Sequence, residues 1–210
     1  MIFIYSRLTI KWLCLPLTIF MLLVSCSAQP VPKDTFYRLT SSQKLPPLQG
    51  GPFVGVVEVQ PLRGEGIINQ RAIIYRDGPS QLYQYIYHLW AEPPGIMIQR
   101  ELIAALRQAQ AFESVASPEM RTNRDYELAG SLFTLEHALE SSGGKVVIEL
   151  ELGLRRVQGN HNLLLKTYRS ERSVNGPGVS SAVTSIRGAL DEVLAQLLLD
   201  LEVAKSKEKA

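Results

Sequence analysis

Apolar residues along this chain recur with two periods, and each change of period marks a change of element. Phe53, Val54, Val56, Val57 and Val59 make a β-rich run at 53–60, after a shorter strand-like run at 35–40 and a loop of prolines and glycines at 44–52. Further strands are expected at 71–75 and 82–89. In the latter, Tyr83, Tyr85 and Tyr87 alternate with Leu82, Gln84, Ile86 and His88, so the three tyrosines are expected on one face. Packing of that face under a helix is the plainer expectation and a groove for acyl chains the sharper one. Pro93-Pro94-Gly95 ends the strand, and Pro94 fits the first turn of a helix reaching about residue 110, with Ile98, Leu102, Ala105, Leu106 and Ala109 as its apolar stripe.

A short strand is expected at 112–116 and a long one at 125–138. There Tyr126, Leu128, Gly130 and Leu132 share one face while Ala129, Ser131, Phe133 and Leu135 share the other, which predicts burial on both. The clearest hairpin follows. Ile148, Leu150, Leu152 and Leu154 alternate with Glu149, Glu151, Gly153 and Arg155, and Gln158-Gly159-Asn160-His161 turns the chain into a strand at 163–174. After Asn175-Gly176-Pro177-Gly178, a helix at 180–204 carries the stripe Val183, Ile186, Leu190, Val193, Leu194, Leu197 and Leu201. Two helices among many strands predict an α+β fold, a largely antiparallel or mixed sheet with both helices packed on it.

One apolar run obeys neither period. Residues 12–24 carry no charge and follow Arg7 and Lys11, the order of a secretory signal. The run falls short of the roughly 20 residues that a membrane-spanning helix needs, and Pro16 interrupts it, so a permanent anchor is the weaker expectation. Leu23-Val24-Ser25-Cys26 closes the run and looks like a bacterial lipobox. On that reading the chain is cut between Ser25 and Cys26, the Cys26 sulfur receives diacylglycerol, and the new amino group is acylated. The plainer readings are an ordinary secretory signal that leaves a free Cys26 thiol, or an uncleaved anchor. Cys14 falls within the signal, so the mature chain has a single cysteine and no intramolecular disulfide. Ser27 follows Cys26; by resemblance to lipoproteins of Gram-negative bacteria, the lack of an aspartate there implies the outer membrane, facing the periplasm. The expected organisation is a lipoprotein signal peptide at 1–25, a small, polar, proline-bearing tether at 26–34, a single domain at 35–204 and a charged tail at 205–210.

Composition and motifs narrow the function. The signal takes two of the 22 basic residues and none of the 20 acidic ones, so the mature chain is electrically balanced. A balanced surface lacks the basic stripe that nucleic acid requires, and no nucleic-acid partner is expected. His88, His137 and His161 have neither the His-x3-His spacing of a helical zinc pair nor a cysteine companion, so no metal is expected. Gly-x-Ser-x-Gly and Gly-x-Gly-x-x-Gly are both absent, and Gly64-Glu65-Gly66 is an isolated pair. Glu149 and Glu151 fall on the wet face of the hairpin, where solvated charge is the ordinary explanation. The residues point to no cofactor and no catalytic role.

Four features in order carry a resemblance. Phe36-Tyr37-Arg38-Leu39 follows the lipobox, and Tyr87-His88-Leu89-Trp90-Ala91-Glu92-Pro93-Pro94 leads into the helix beginning near Ile96. Phe112-Glu113-Ser114-Val115 follows that helix, and Asp125-Tyr126-Glu127-Leu128-Ala129-Gly130-Ser131-Leu132 opens the second half. In these the chain resembles the ABC-type transport auxiliary lipoproteins, the PqiC-like family. The resemblance implies a non-catalytic accessory whose partner is an MCE-domain protein carrying phospholipids or other hydrophobic molecules between two membranes, with consequences for membrane integrity. It makes 35–204 an ABC-transport auxiliary domain. Two other classes stay open: an envelope-assembly lipoprotein binding an outer-membrane β-barrel, as lipopolysaccharide-assembly lipoproteins do, and a periplasmic hydrolase. Trp90, Glu92, Pro93 and Pro94 are the candidate partner contact, set against a buried Trp90 with the prolines fixing the corner. Val183, Ile186, Leu190, Val193 and Leu197 have a near-heptad spacing that fits a subunit contact, although packing on the chain's own sheet is plainer. A homo-oligomer through other surfaces also stays open.

Overall fold

Alternation in the second half of the chain sets the architecture. In the computed structural model, which describes residues 32–139 and 144–208, the strands are β1 (Thr35–Tyr37), β2 (Phe53–Val59), β3 (Arg63–Gly64), β4 (Ala72–Asp77), β5 (Gln81–Trp90), β6 (Phe112–Ala116), β7 (Tyr126–Ala138), β8 (Lys145–Arg156) and β9 (His161–Ser173). Two α-helices, α1 (Pro94–Gln108) and α2 (Gly178–Glu208), and 3-10 turns at Gly66–Asn69 and Pro118–Met120 complete the order. Asp34–Ala210 forms one compact unit. Ser25 and Cys26, with the signal and most of the tether, lie outside the described residues.

β7 is the organising strand. One of its edges pairs antiparallel with β8 from Tyr126↔Arg156 to Ala138↔Lys145, and β8 pairs antiparallel with β9. The turn between β8 and β9 falls where the sequence predicts it, with Gly159 and Asn160 at φ 80° and 50°, the left-handed region that glycine and asparagine tolerate best. The other edge of β7 is shared, in chain order, by β2 (Val57↔Tyr126), β3 (Arg63↔Ser131) and β4 (Ile74↔Glu136), all parallel to it. β6 extends the sheet beyond β2, while β5 and then β1 extend it beyond β4. The α+β class holds, and the sheet is mixed: β4–β5, β7–β8 and β8–β9 are antiparallel, whereas β1–β5, β2–β6 and the three strands along β7 are parallel. Parallel neighbours need crossover connections; α1 lies in those from β2 to β6 and from β2, β3 and β4 to β7, whereas β1 reaches β5 through β2, β3 and β4.

α2 lies against β8 and β9, and α1 against β6, β2 and β3. The α2 stripe from Val183 to Leu201 meets Ile148, Leu150, Leu152 and Leu154 in one continuous core that also takes in Ile98, Leu102 and Leu106 of α1. Tyr168 of β9 is fully buried there, and its hydroxyl donates to Asp200 Oδ2 at 2.9 Å. Burial and that acceptor hold the phenol well above the usual tyrosine range. α2 continues past residue 204 through the charged residues to Glu208. Lys205 is buried and donates to the carbonyls of Gly51 and Pro52, with its ammonium 5.4 Å from the Phe53 ring centroid, so the expected tail is helix as far as Glu208.

Two bulges alter the faces expected from simple alternation. Leu132 pairs with Leu150 and Thr134 with Glu149, leaving Phe133 as an extra residue in β7. Leu132 and Leu135 thereby both enter the core while Phe133 stays exposed, so β7 keeps one core face and one outer face where burial on both was expected. In β5, residues 85–88 stand opposite the single residue Ile73, because Ala72 pairs with Leu89 and Ile74 with Gln84. Tyr83 and Tyr85 both meet Tyr75, at ring-centroid distances of 5.3 and 4.6 Å, but Tyr83 and Tyr87 remain exposed. The tyrosine face therefore does not pack beneath a helix, since β5 belongs to the outer wing of the sheet and the bulge breaks its alternation.

Candidate functional site

Outward positions on β7 and β8 make an open concavity. Three cross-strand pairs face away from the core in register: Glu127↔Arg155, Ala129↔Gly153 and Ser131↔Glu151. The middle pair has almost no side chain, so the sheet surface there is a trough of about 1060 Å³. The connection at 60–64 walls one side, with Asn162 and Leu165 of β9 on the other. Gly130 belongs to this construction. A Cβ at Gly130 would run into the Glu151 carbonyl oxygen of β8, so the close approach of the two strands demands glycine.

Charge is concentrated at one end of the trough. Arg155 Nη2 donates to Glu127 Oε1 at 2.8 Å, Arg124 Nη2 to Glu127 Oε2 at 2.9 Å, and Arg124 Nη1 to Glu58 Oε1 at 2.6 Å. Glu58 is buried and also accepts from Gln60 Nε2 at 2.8 Å. This network ties β2, the loop before β7, β7 and β8 together, so the trough is a fixed surface. Its Glu127 and Arg155 lie on the line of the small residues, where a bound chain would meet both signs of charge.

A second cleft, of about 500 Å³, lies beside the strand-to-helix corner and is lined by Arg38, Leu39, Thr40, Ala91, Glu92, Met97, Arg100 and Glu101. Trp90 is 1% exposed and belongs to the core. Its N–H donates to Arg71 O at 2.6 Å, and the next residue's N–H to Tyr37 O at 2.7 Å. Pro94 is buried as well, at the start of α1, so Glu92 and Pro93 are the corner residues that keep surface. Arg100 Nη2 holds Glu92 Oε1 at 2.7 Å. Glu101 accepts the Ser41 N–H at 2.7 Å, but burial outweighs that bond and, with Asp191 nearby, keeps its carboxyl above the ordinary carboxylate value.

Tyr85 stands between two of the three histidines, with its hydroxyl 2.9 Å from His137 Nδ1 and its ring 6.1 Å from that of His88. His88 Nδ1 is 3.0 Å from the Tyr37 hydroxyl, and His161 is apart from them at the start of β9. Residues distant in sequence thus meet in an aromatic cluster. Among the described residues, no group of three or more histidine, cysteine, aspartate or glutamate side chains is placed to hold a metal ion. No helix among them is long and apolar enough to cross a membrane. Sequence reasoning passed over the trough, although its signal was present: Glu-x-Ala-x-Ser and Glu-x-Gly-x-Arg on outward positions of adjacent strands.

The mixed sheet with its two packed helices is a fold shared with known proteins. The family model for the ABC-type transport auxiliary lipoprotein component matches residues 37–198, and the chain belongs to that family. It is therefore a transport auxiliary lipoprotein by descent. No curated protein matches the sequence. Among solved structures, the protein XCC0632 from Xanthomonas campestris is similar at 20% identity, covering 83% of this chain and 99% of its own, with a TM-score of 0.73. An uncharacterised protein is similar at 16% identity over 81% of this chain and 99% of its own, with a TM-score of 0.64. Both establish the shared fold.

Proposed function

We propose that this chain is a non-catalytic lipoprotein of an MCE-type transport system, held in the outer membrane by acylated Cys26 and facing the periplasm, where it docks the MCE-domain partner. Phospholipids or other hydrophobic molecules are the cargo of that partner, and membrane integrity depends on their transfer. The family match carries this reading, because it spans nearly the whole folded unit, residues 37–198. Leu23-Val24-Ser25-Cys26 supports the anchor. The trough supports docking: it is open, about 1060 Å³, edged by Glu127 and Arg155 and by Leu165, which is 64% exposed. An arginine and a polar rim around exposed apolar area fit the make-up of protein interfaces. Glu92 and Pro93 add contact area at the corner.

Affinity capture with the lipidated full-length chain from solubilised envelopes tests the proposal. Recovery of an MCE-domain protein, with at least a severalfold loss for Leu165→Arg at unchanged circular dichroism, is the expected result. Recovery of an outer-membrane β-barrel in its place would move the chain to the envelope-assembly class.

A further inference from the structure

We propose that the β4–β5 hairpin is a second membrane contact, a surface that rests in the lipid headgroup region beside the acyl anchor. The inference builds on the acylation of Cys26 proposed above and assigns a lipid-facing role to residues that the anchor alone does not require.

The hairpin exposes large apolar side chains beside its exposed polar residues Asp77, Gln81 and Gln84. Leu82 and Tyr83 occupy successive positions of β5 and so point to opposite faces, yet they are 43% and 44% exposed; Ile86 and Tyr87 in the bulge are 79% and 39% exposed. Phe36 on β1, the register partner of Leu89, is 54% exposed. An antiparallel pair in water keeps at least one polar face, and a long apolar edge is normally covered. Among the described residues, β1 pairs with His88, Leu89 and Trp90 of this edge.

Chain length says what covers the edge. β1 is parallel to β5, so it is entered from the end that carries the hairpin turn. Cys26 precedes Thr35 by nine residues, and a chain of that length reaches at most about 30 Å. The stretch of β5 from His88 back to Gln81 is itself about 23 Å long at the ordinary strand rise. A bilayer holding the acyl chains is thus within roughly one hairpin length of the start of β1. The side chains suit that depth, because tyrosine favours the membrane–water boundary and leucine, isoleucine and phenylalanine the acyl region below it. Arg71, its guanidinium 5.2 Å from the Phe36 ring centroid, and exposed Lys33 are offset by exposed Asp34 and Asp77, so the contact rests on the apolar side chains and not on net charge.

The mature lipidated chain, carrying Ile86→Cys or Leu199→Cys labelled with an environment-sensitive fluorophore, tests this in vesicles of phosphatidylethanolamine and phosphatidylglycerol with bromine-labelled acyl chains. Leu199 is an exposed control about 28 Å along α2 from Ser180, whose Oγ is 3.2 Å from the Tyr37 hydroxyl. Acylation blocks the Cys26 sulfur, so only the added cysteine reacts. The expected result is a blue-shifted Ile86 probe, quenched severalfold more than the Leu199 probe. An unquenched Ile86 probe on a parent chain that takes no label overturns the membrane contact alone. A blue shift that needs no vesicles and grows with protein concentration assigns the hairpin to a second copy and also overturns it. Labelling of the parent chain reveals a free Cys26 thiol and overturns both the anchor and the contact.

Discussion

Trp90 is held where three segments exchange backbone hydrogen bonds. Its N–H donates to Arg71 O at 2.6 Å, its carbonyl accepts from Arg71 Nε at 3.0 Å, and Ala91 N–H donates to Tyr37 O at 2.7 Å. A large ring on such a frame has no route to collapse when it is cut back. Trp90→Ala is therefore expected to cost about 3–5 kcal/mol, the range for deleting a buried aromatic side chain. The chain has two tryptophans, and the other, Trp12, falls within the expected signal, so fluorescence of the mature protein reports this site alone. Thermal melts followed by circular dichroism check the cost; an unchanged melting temperature together with lost partner capture would assign Trp90 to contact instead. Burial was not legible from the residue itself, because tryptophan is favoured both in cores and at interfaces. The backbone bonds from Arg71 and Tyr37, distant in sequence, decide it.

At the scale of elements, two glycines on neighbouring strands separate the architecture from the surface it carries. A Cβ at Gly130 meets the Glu151 carbonyl, a backbone atom that moves only with β8, whereas a Cβ at Gly153 meets Leu165 Cδ1 at 3.4 Å, an ordinary contact. Gly130→Ala is expected to lose about 1–3 kcal/mol to overpacking, and Gly153→Ala to stay within about 1 kcal/mol of wild type while making the trough shallower. Urea unfolding of both variants checks the contrast, and equal losses would sink the account of Gly130. Most elements were legible in the sequence because each obeys one period: the α1 and α2 stripes, β6, and the β8–β9 hairpin with its Gly159 turn all lie where alternation or helical spacing puts them. The bulges at Phe133 and at 85–88 were not, since an extra residue changes the face without changing the composition. β3 has only two residues, too few for a period, and the parallel pairing of β2, β3 and β4 along β7 follows from long-range register that no local window contains.

For the whole molecule, the proposed attachment and the proposed docking surface involve different parts of the chain. The trough forms from outward residues of β7, β8 and β9 near the connection at 60–64, while β1 and the β4–β5 hairpin form a separate wing of the sheet. In the proposed anchoring, the nine residues from Cys26 to Thr35 limit the height at which the trough stands above the membrane, so the length of the tether is part of the proposed binding geometry. Cys26→Ser tests the anchor directly. In the proposed anchor the sulfur accepts diacylglycerol, and an oxygen in its place gives no thioether, so the variant is expected to keep its signal or lose its acyl chains. Mass spectrometry of the purified chain and fractionation of the envelope read the two consequences separately. Wild type should carry the acyl mass and sediment with the outer membrane; the variant should lack that mass and leave the outer-membrane fraction. If the variant partitions with that membrane as wild type does, the folded unit finds it without lipid, and acylated Cys26 is not what holds it there.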